Sequence, residues 1–259
     1  MNKMLSTVAL LAIASNVLMA GGDIAPVEPV VPEVVVEESW KFGAGLYVWG
    51  AGIEGETANG APIDMSFSDI LDDLDMTFMG TFLAQKDNWT LGLDAIYLKI
   101  GDKPNTLLPG PGSATLTNIQ LKSWIYTPFV AYRVMESEKL DLSILAGARY
   151  LKMEPYVEIT PALPPLTPIS QSSSGSVTDG IIGIRGKYDI NKKWYMPFQF
   201  DVGGGDSDST WQAFAAVGYR YENFDLIAGY RHMEWEFESD APLKDLSMSG
   251  PIIGAMFKF

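Results

Sequence analysis

The sequence predicts an all-β protein, namely a closed antiparallel up-and-down β-barrel of about ten strands, with eight to twelve as the range. Stretches in which apolar and polar residues alternate recur throughout residues 40–259. The connections between them alternate between short polar turns and longer loops. The chain also begins with a basic and then apolar segment, and it ends on an aromatic residue, Phe259. These features together predict an exported chain that crosses a membrane with strands.

The composition excludes several functional classes. A length of 259 residues suits one barrel domain, which can run to this size undivided. Without cysteine there is no disulfide framework, thiolate metal site or lipoprotein anchor. A net charge of −14 argues against binding to nucleic acid, whose phosphates require a basic face. We expect no cofactor.

The N-terminal residues 1–20 have the pattern of a secretory signal peptide. Lys3 supplies the basic region, and residues 4–19 form an apolar run too short for a comfortable transmembrane helix. Cleavage could follow either Ala14 or Ala20. Residues 21–39 are rich in proline, valine and glutamate, which favours an extended leader in the periplasm, and residues 40–259 are the predicted barrel domain.

The predicted strands are each long enough for the roughly 9–11 residues that a tilted membrane strand needs. They are residues 40–53, 76–85, 89–100, 115–134, 140–159, 178–189, 194–203, 209–221, 224–237 and 246–259. Short turns fall at 86–88, 135–139, 190–193 and 222–223, and longer loops fall at 54–75, 101–114, 160–177, 204–208 and 238–245. This asymmetry is typical of an outer-membrane barrel with short periplasmic turns and long external loops.

Several aromatic residues recur beside the short turns. Since aromatic rings prefer the membrane–water interface, we expect them to form a periplasmic belt. The belt residues are Trp89, Tyr188, Trp194, Tyr221 and Phe224. The last strand ends with Gly254, Phe257 and Phe259, which resembles the C-terminal signal of bacterial outer-membrane barrels. The resemblance implies recognition of this strand by the barrel assembly machinery.

The polar face of each strand is expected to point into the lumen, because a charge facing lipid costs roughly 2–4 kcal/mol at mid-membrane. Charged residues of both signs then share the interior. The candidate lumen network is Asp94, Lys122, Asp141, Arg149, Arg185, Lys187, Asp201, Arg220, Asp225, Arg231 and Lys258. Two interpretations are open: a salt-bridged filling, or a selective path for small ions or solutes.

Few residues suggest other chemistry. The only histidine is His232, and residue 230, two positions before it, is a tyrosine where ten-stranded outer-membrane proteases have an acid. It also has no serine within six residues on its own strand. We therefore predict no catalytic, cofactor or metal site, and keep a hydrolase acting through His232 as a lesser alternative.

Residues 68–75 predict a short amphipathic helix in the first external loop, with Ser68 as its N-cap and an apolar stripe packed over or into the barrel mouth. An alternative is a divalent-cation site formed by its acidic residues near lipopolysaccharide. These are Asp69, Asp72, Asp73 and Asp75.

Residues 65–76, 210–213, 218–221 and 249–254 together resemble a proteobacterial family of small outer-membrane barrels, loosely similar to OmpA/OmpW-like and opacity-protein barrels. The resemblance implies an outer-membrane location and carries no catalytic residues. We expect a monomeric barrel in contact with lipid and lipopolysaccharide, with a structural or narrow porin-like role. A surface adhesin or receptor acting through loops 54–75 and 160–177 is the alternative.

Overall fold

The computed structural model describes residues 39–102, 106–108, 114–161 and 167–259. The predicted signal peptide and all but the last residue of the predicted leader lie outside the described residues. Among those that are described, no helix has the length and apolar character to cross a membrane.

The described chain is almost entirely β-structure. The long strands are β1 (Lys41–Trp49), β4 (Leu74–Lys86), β5 (Trp89–Asp102), β7 (Ala114–Glu136), β8 (Leu140–Pro161), β10 (Gly175–Asp189), β11 (Trp194–Gly205), β12 (Ser209–Arg220), β13 (Phe224–Glu236) and β14 (Leu243–Lys258). The short elements are β2 (Gly52–Thr57), β3 (Pro62–Met65), helix α1 (Phe67–Asp72), β6 (Thr106–Leu108) and β9 (Ile169–Ser172).

The long strands form a closed antiparallel barrel. Neighbours along the chain pair with each other from β1 through β14. The sheet closes because β1 also pairs with β14, from Gly43 opposite Lys258 to Trp49 opposite Ile252. Closure removes the free edges that an open sheet would expose to lipid. The predicted all-β, closed, up-and-down barrel is confirmed, and its strand number is ten.

The first predicted strand, residues 40–53, is interrupted at Gly50 and Ala51. Its partner there is Pro251, which has no backbone N–H to donate, so one ladder bond is missing. Gly50 still donates its N–H to the Pro251 carbonyl at 2.8 Å. Beyond the break β2 continues along β14 in the same register, with Gly52 opposite Ser249.

The two ends of the barrel differ. At one end the strands join through tight turns, and Asp87 adopts a left-handed conformation with φ of 52° in one of them. At the other end much of the predicted loops 54–75 and 160–177 is β-structure. Strands β7 and β8 contain 23 and 22 residues, well beyond the roughly 9–11 needed to cross a membrane. The barrel wall is therefore extended on the side of the long connections.

Helix α1 forms as predicted, but its N-cap is Ser66 and not Ser68. The Ser66 hydroxyl accepts the Asp69 N–H at 3.3 Å, and the Asp69 carboxylate accepts the Ser66 N–H at 3.0 Å. This reciprocal capping box fixes the start of the helix two residues earlier. Of its apolar residues only Ile70 is buried, and it packs into the apolar cluster inside the barrel.

The outer surface of the barrel carries a wide apolar band. Leu91 and Leu93 on β5, Phe82 on β4, and Met196 and Phe200 on β11 are between 41% and 49% exposed. Soluble monomers seldom expose apolar patches of this extent, whereas a lipid-facing wall requires one.

Candidate functional site

The side chains that point into the lumen form successive layers. Alternation along each strand places one set inward and the other toward the surroundings of the barrel. On β8 the inward set includes Leu145, Arg149 and Leu151, each no more than 4% exposed. The layers differ in chemistry from one end of the barrel to the other.

The middle of the lumen contains a fully buried ion pair, Arg149 with Asp201, in which both side chains are 0% exposed. Arg149 also donates to the Thr210 hydroxyl at 3.1 Å. The Asp201 carboxylate accepts further hydrogen bonds from Gln199 at 2.9 Å and Gln212 at 3.2 Å. Neighbours from β11 and β12 thus supply hydrogen bonds to both charges, as a buried charge pair requires, although the Arg149 Nε has no partner among the described residues.

A second ion pair lies beside the first. Arg231 contacts Asp94 at 2.9 Å, with side-chain exposures of 6% and 15%. The Tyr47 hydroxyl donates to Asp94 at 2.8 Å, and Arg231 donates to the Gln212 side-chain oxygen at 2.7 Å. Gln212 thus links the two pairs, and the guanidinium of Arg231 lies 5.2 Å from the centre of the Trp49 ring. We call this group of side chains the central polar layer. Its members are Tyr47, Asp94, Arg149, Gln199, Asp201, Thr210, Gln212 and Arg231.

Toward the end with the tight turns, rings packed over glycines fill the lumen. The Tyr195 ring lies opposite Gly218, where a Cβ would come within 2.4 Å of it. Phe129 covers Gly92 in the same way, where the distance would be 2.1 Å. The guanidinium of Arg185 sits 4.6 Å from the Phe129 ring centre. Only a glycine leaves room for a ring packed directly over it. The rings of Tyr195 and Phe129 lie in these spaces and narrow the lumen.

The remaining inward charges lie at the same end. Asp225 is 3% exposed and accepts from Lys258 at 2.6 Å and from the Tyr195 hydroxyl at 2.8 Å. Lys187 contacts Asp141 at 2.8 Å. Arg220 pairs with Asp189, an acid that the sequence analysis did not select. Apart from Lys122, every candidate of the predicted lumen network points inward.

No protein-family model matches this sequence, and no curated protein matches it. Solved structures do resemble the fold. Outer membrane protease OmpT from Escherichia coli superposes with a TM-score of 0.50 at 8% identity, covering 86% of this chain and 98% of that one. The translocator domain of autotransporter NalP from Neisseria meningitidis gives 0.46 at 11% identity, with coverages of 87% and 90%. Ail of Yersinia pestis gives 0.38 at 11% identity, with coverages of 85% and 98%.

The chain has the fold of outer-membrane β-barrels. At this identity the likeness concerns the fold alone, and the activity named for OmpT is a property of that protein. The arrangement of side chains on this barrel therefore has to be considered for itself.

Lys122 is not in the lumen, which corrects the prediction. On β7 alternate residues from Ser123 to Ala131 are buried, so Lys122 lies on the outward face, close to the external end of the strand. It stands across from Lys99 on β5 and Glu154 on β8. The inference from polarity failed because a charge costs little where the wall leaves the hydrocarbon.

An outer aromatic girdle lies on the same outward face, one step nearer the membrane. The Tyr97 and Trp124 ring centres are 4.1 Å apart. The Trp124 and Tyr126 ring centres are 5.6 Å apart, and those of Tyr126 and Tyr150 are 6.4 Å apart. This row of rings, with lysines beyond it, has the order expected at a membrane–water boundary.

The predicted periplasmic belt residues lie near the end with tight turns and face outward. Trp89, Tyr188, Trp194 and Tyr221 are between 42% and 52% exposed. Phe224 stacks on Tyr221, with ring centres 4.9 Å apart. The structure extends this row with three further rings: Tyr132 beside Trp89, Tyr219 beside Trp194, and Phe257 of the candidate assembly signal beside Phe224.

The candidate assembly signal lies along the closing seam. Gly254 is paired with Tyr47, where a Cβ would come within 2.6 Å of the Tyr47 side chain. Phe257 and Phe259 are 40% and 76% exposed on the outward face. The Phe259 N–H donates to the Phe42 carbonyl at 2.9 Å, so the final residue still belongs to the seam.

His232 faces outward and not into the lumen. Its Nε2 lies 3.1 Å from a Glu234 oxygen, and its ring packs at a tilt against Trp211, with ring centres 4.4 Å apart. Ser249 stands opposite it on β14, a neighbour that could not be found from spacing along one strand. Among the hydrogen bonds of the described residues, none joins the two, so the hydroxyl lacks an adjacent base.

The acids around helix α1 form no shared site among the described residues. Hydrogen bonds from the Ser66 hydroxyl and the Ser66 N–H lower the pKa of Asp69. Asp73 is the C-cap, and Asp75 contacts Lys99 at 2.8 Å. Within the described parts of the chain, no group of three or more histidines and acids is arranged to hold a metal ion. The four carboxylates therefore do not converge as the cation alternative requires.

The outer half of the lumen is apolar, which the sequence analysis missed. Its buried cluster consists of Trp49, Ala51, Ile53, Ile70, Met79, Ile96, Leu98, Ile100, Ile125, Leu151, Met233, Trp235, Leu246, Met248 and Ile252. The signal was present in the sequence. On β5 the inward set changes from Thr90, Gly92 and Asp94 to Ile96, Leu98 and Ile100. We had expected polar residues inward along the whole strand.

Proposed function

We propose that this protein is an integral outer-membrane barrel with a structural role, and that its lumen does not conduct ions or solutes. The observation that carries the proposal is the central polar layer. Arg149 and Asp201 are fully buried in it. A conducting path needs water-accessible side chains through this level.

The layers on either side support the same conclusion. Trp235 and Met233 are 0% exposed on the outer side of the central polar layer. The rings of Phe129 and Tyr195 narrow the lumen on the other side. A barrel of this size is narrow enough to be filled by its own side chains. The narrow porin-like alternative would require several of these groups to move together.

The outer surface supports insertion in the outer membrane. The apolar band lies between two rows of aromatic residues, and lysines stand beyond the outer row, within reach of lipopolysaccharide. We propose lipid and lipopolysaccharide as the surroundings of the wall, the assembly machinery as the partner of the closing strand, and a monomeric state because the closed barrel leaves no unpaired long strand.

We also propose that the protein is not an enzyme. His232 is held by Glu234 and packed against Trp211, and its cross-strand neighbour Ser249 is not activated by it. If this is right, His232→Ala leaves the rate of phospholipid and peptide hydrolysis by the purified barrel at its background level. A loss of turnover in this variant would restore the hydrolase alternative.

Single-channel recording in planar bilayers tests the closed lumen. The wild-type barrel should show no steady openings. The double variant Arg231→Ala/Asp94→Ala removes one inward ion pair and should allow small openings, because it takes two large side chains out of the central polar layer.

The matched control is Lys99→Ala/Asp75→Ala, which removes an ion pair of the same kind. This pair has side-chain exposures of 29% and 45% and lies at the outward face. This control variant should show no steady channel openings in the bilayer. Steady openings from the wild-type protein would refute the closed lumen and favour the porin-like role.

A further inference from the structure

We propose that the outer half of the lumen is a binding site for an uncharged, lipophilic small molecule that arrives from the external side. A cavity of about 770 Å³ lies there, between the central polar layer and the outer ends of the strands. The proposal adds a ligand to the structural role and does not depend on whether the lumen conducts.

The wall of the cavity is mostly apolar. Side chains from β2, β5, β7, β8, β10 and β14 line it. They include Ile53, Ile100, Leu121, Met153, Val177 and Leu246. The bottom of the cavity rests on the buried apolar cluster, which includes the fully buried Met233 and Trp235.

The cavity is much larger than the voids that ordinary side-chain packing leaves. Protein interiors have few voids larger than a water molecule, and unfilled apolar volume lowers stability. Known small-molecule pockets span roughly 300–1,000 Å³, and this cavity falls inside that range. An apolar cavity also has too few polar partners to hold ordered water well.

The position of the cavity also points to a ligand. Leu121 on β7 and Met153 on β8 lie nearer the external end of the barrel than Trp124, which belongs to the outer aromatic girdle. The inward face at this level neither meets lipid nor has to be apolar for the barrel to insert. Below it, the inward face is charged and hydrogen-bonded. The change from polar to apolar therefore creates a separate compartment.

The charge of the lining indicates the class of ligand. Among the described residues that line the cavity, Asp73 is the only charged one. No lysine or arginine is among these described residues, so the cavity offers no cation to pair with an anionic group such as that of a fatty acid. Gln120, Tyr156 and the serines at 173, 174 and 176 supply neutral hydrogen-bonding groups. The site is thus suited to a neutral apolar body with at most a neutral polar group.

Two fluorescent probes with the same aromatic body test this. N-phenyl-1-naphthylamine is uncharged, and 1-anilinonaphthalene-8-sulfonate is anionic. Both are titrated into the full-length barrel in lipid nanodiscs, with empty nanodiscs subtracted. The neutral probe should bind saturably at one site, and the sulfonate at least about tenfold more weakly, a factor that corresponds to about 1.4 kcal/mol.

Adjacent residues on β7 give a matched pair of variants. Leu121→Gln places an amide in the cavity and should weaken neutral-probe binding by about tenfold, because it removes apolar contact and adds an unpaired polar group. Lys122→Gln introduces the same amide on the outward face and should leave the affinity unchanged. Val177→Trp fills the cavity and should abolish saturable binding even if Leu121→Gln fails to fold.

The outcomes separate the proposal from its competitors. Heat-modifiable migration on gels first establishes that each variant is folded. Non-saturable uptake of the neutral probe, or equal binding in wild type and Val177→Trp, would overturn the site. Equal affinity for the two probes would overturn the neutral class. Loss of binding in Lys122→Gln would place the probe on the outer wall instead. The conductance recordings test the closed lumen independently of these binding results.

Discussion

Asp201→Ala should lower the free energy of unfolding substantially, because it leaves the fully buried Arg149 without its counter-ion. Asp201 accepts hydrogen bonds from Arg149, Gln199 and Gln212. After the substitution Arg149 keeps only the Thr210 hydroxyl among these groups. Removing one partner of a buried pair costs about 3–5 kcal/mol, because the remaining charge stays uncompensated.

Urea-driven unfolding from lipid vesicles measures this cost. Tryptophan fluorescence can report the change, since the chain has seven tryptophans and the Arg149 guanidinium lies 5.9 Å from the ring centre of one of them, Trp235. The double variant Arg149→Met/Asp201→Ala should recover most of the loss, because it removes both charges. The outward control Asp75→Ala breaks an exposed pair and should cost about 0–1 kcal/mol. The reasoning fails if Asp201→Ala costs no more than this control, or if the double variant recovers nothing.

Three further predictions concern other parts of the barrel. Gly218→Val should cost about 1–3 kcal/mol in the same unfolding assay, since the Tyr195 ring has no room to move; an unchanged midpoint would contradict this. Ser66→Ala should raise the pKa of Asp69 toward its ordinary value in an NMR titration. In the wild type the capping box is complete above the ordinary carboxyl pKa and is lost as the pH falls through the lowered pKa of Asp69. If Ser66→Ala leaves the titration of Asp69 unchanged, the capping box is disproved. Deleting Phe259 should slow assembly in a pulse-chase of heat-modifiable barrel with little effect on stability, whereas an unchanged rate would argue against an assembly signal.

The strands could be predicted because each carries its own alternating pattern and ends at a recognisable turn. The tight turn at Asp87 and the return at Trp89 are examples. The interruption at Gly50 could not be predicted, because it depends on a proline in β14, about two hundred residues along the chain. Pairing between distant strands decides which backbone groups lack a partner.

Which residues of a strand point inward could be predicted only at the level where the outward face meets lipid. Between the two aromatic rows, a charge on the outside is costly, so Arg149, Asp201 and Arg231 were correctly expected inside. Beyond the outer row this constraint ends. Lys122 then points outward, and Ile100 and Leu121 point inward.

The class of fold and the inward charges follow from the residues alone, because alternation and turn chemistry are local and the cost of charge in lipid applies to every strand. Which charges pair, and where side chains narrow the lumen, depends on the folded barrel. Gln212 joins two ion pairs from different strands, and the apolar cavity exists because inward residues of six strands meet at one level. Both depend on the relative heights of strands around a closed barrel, which no single strand encodes.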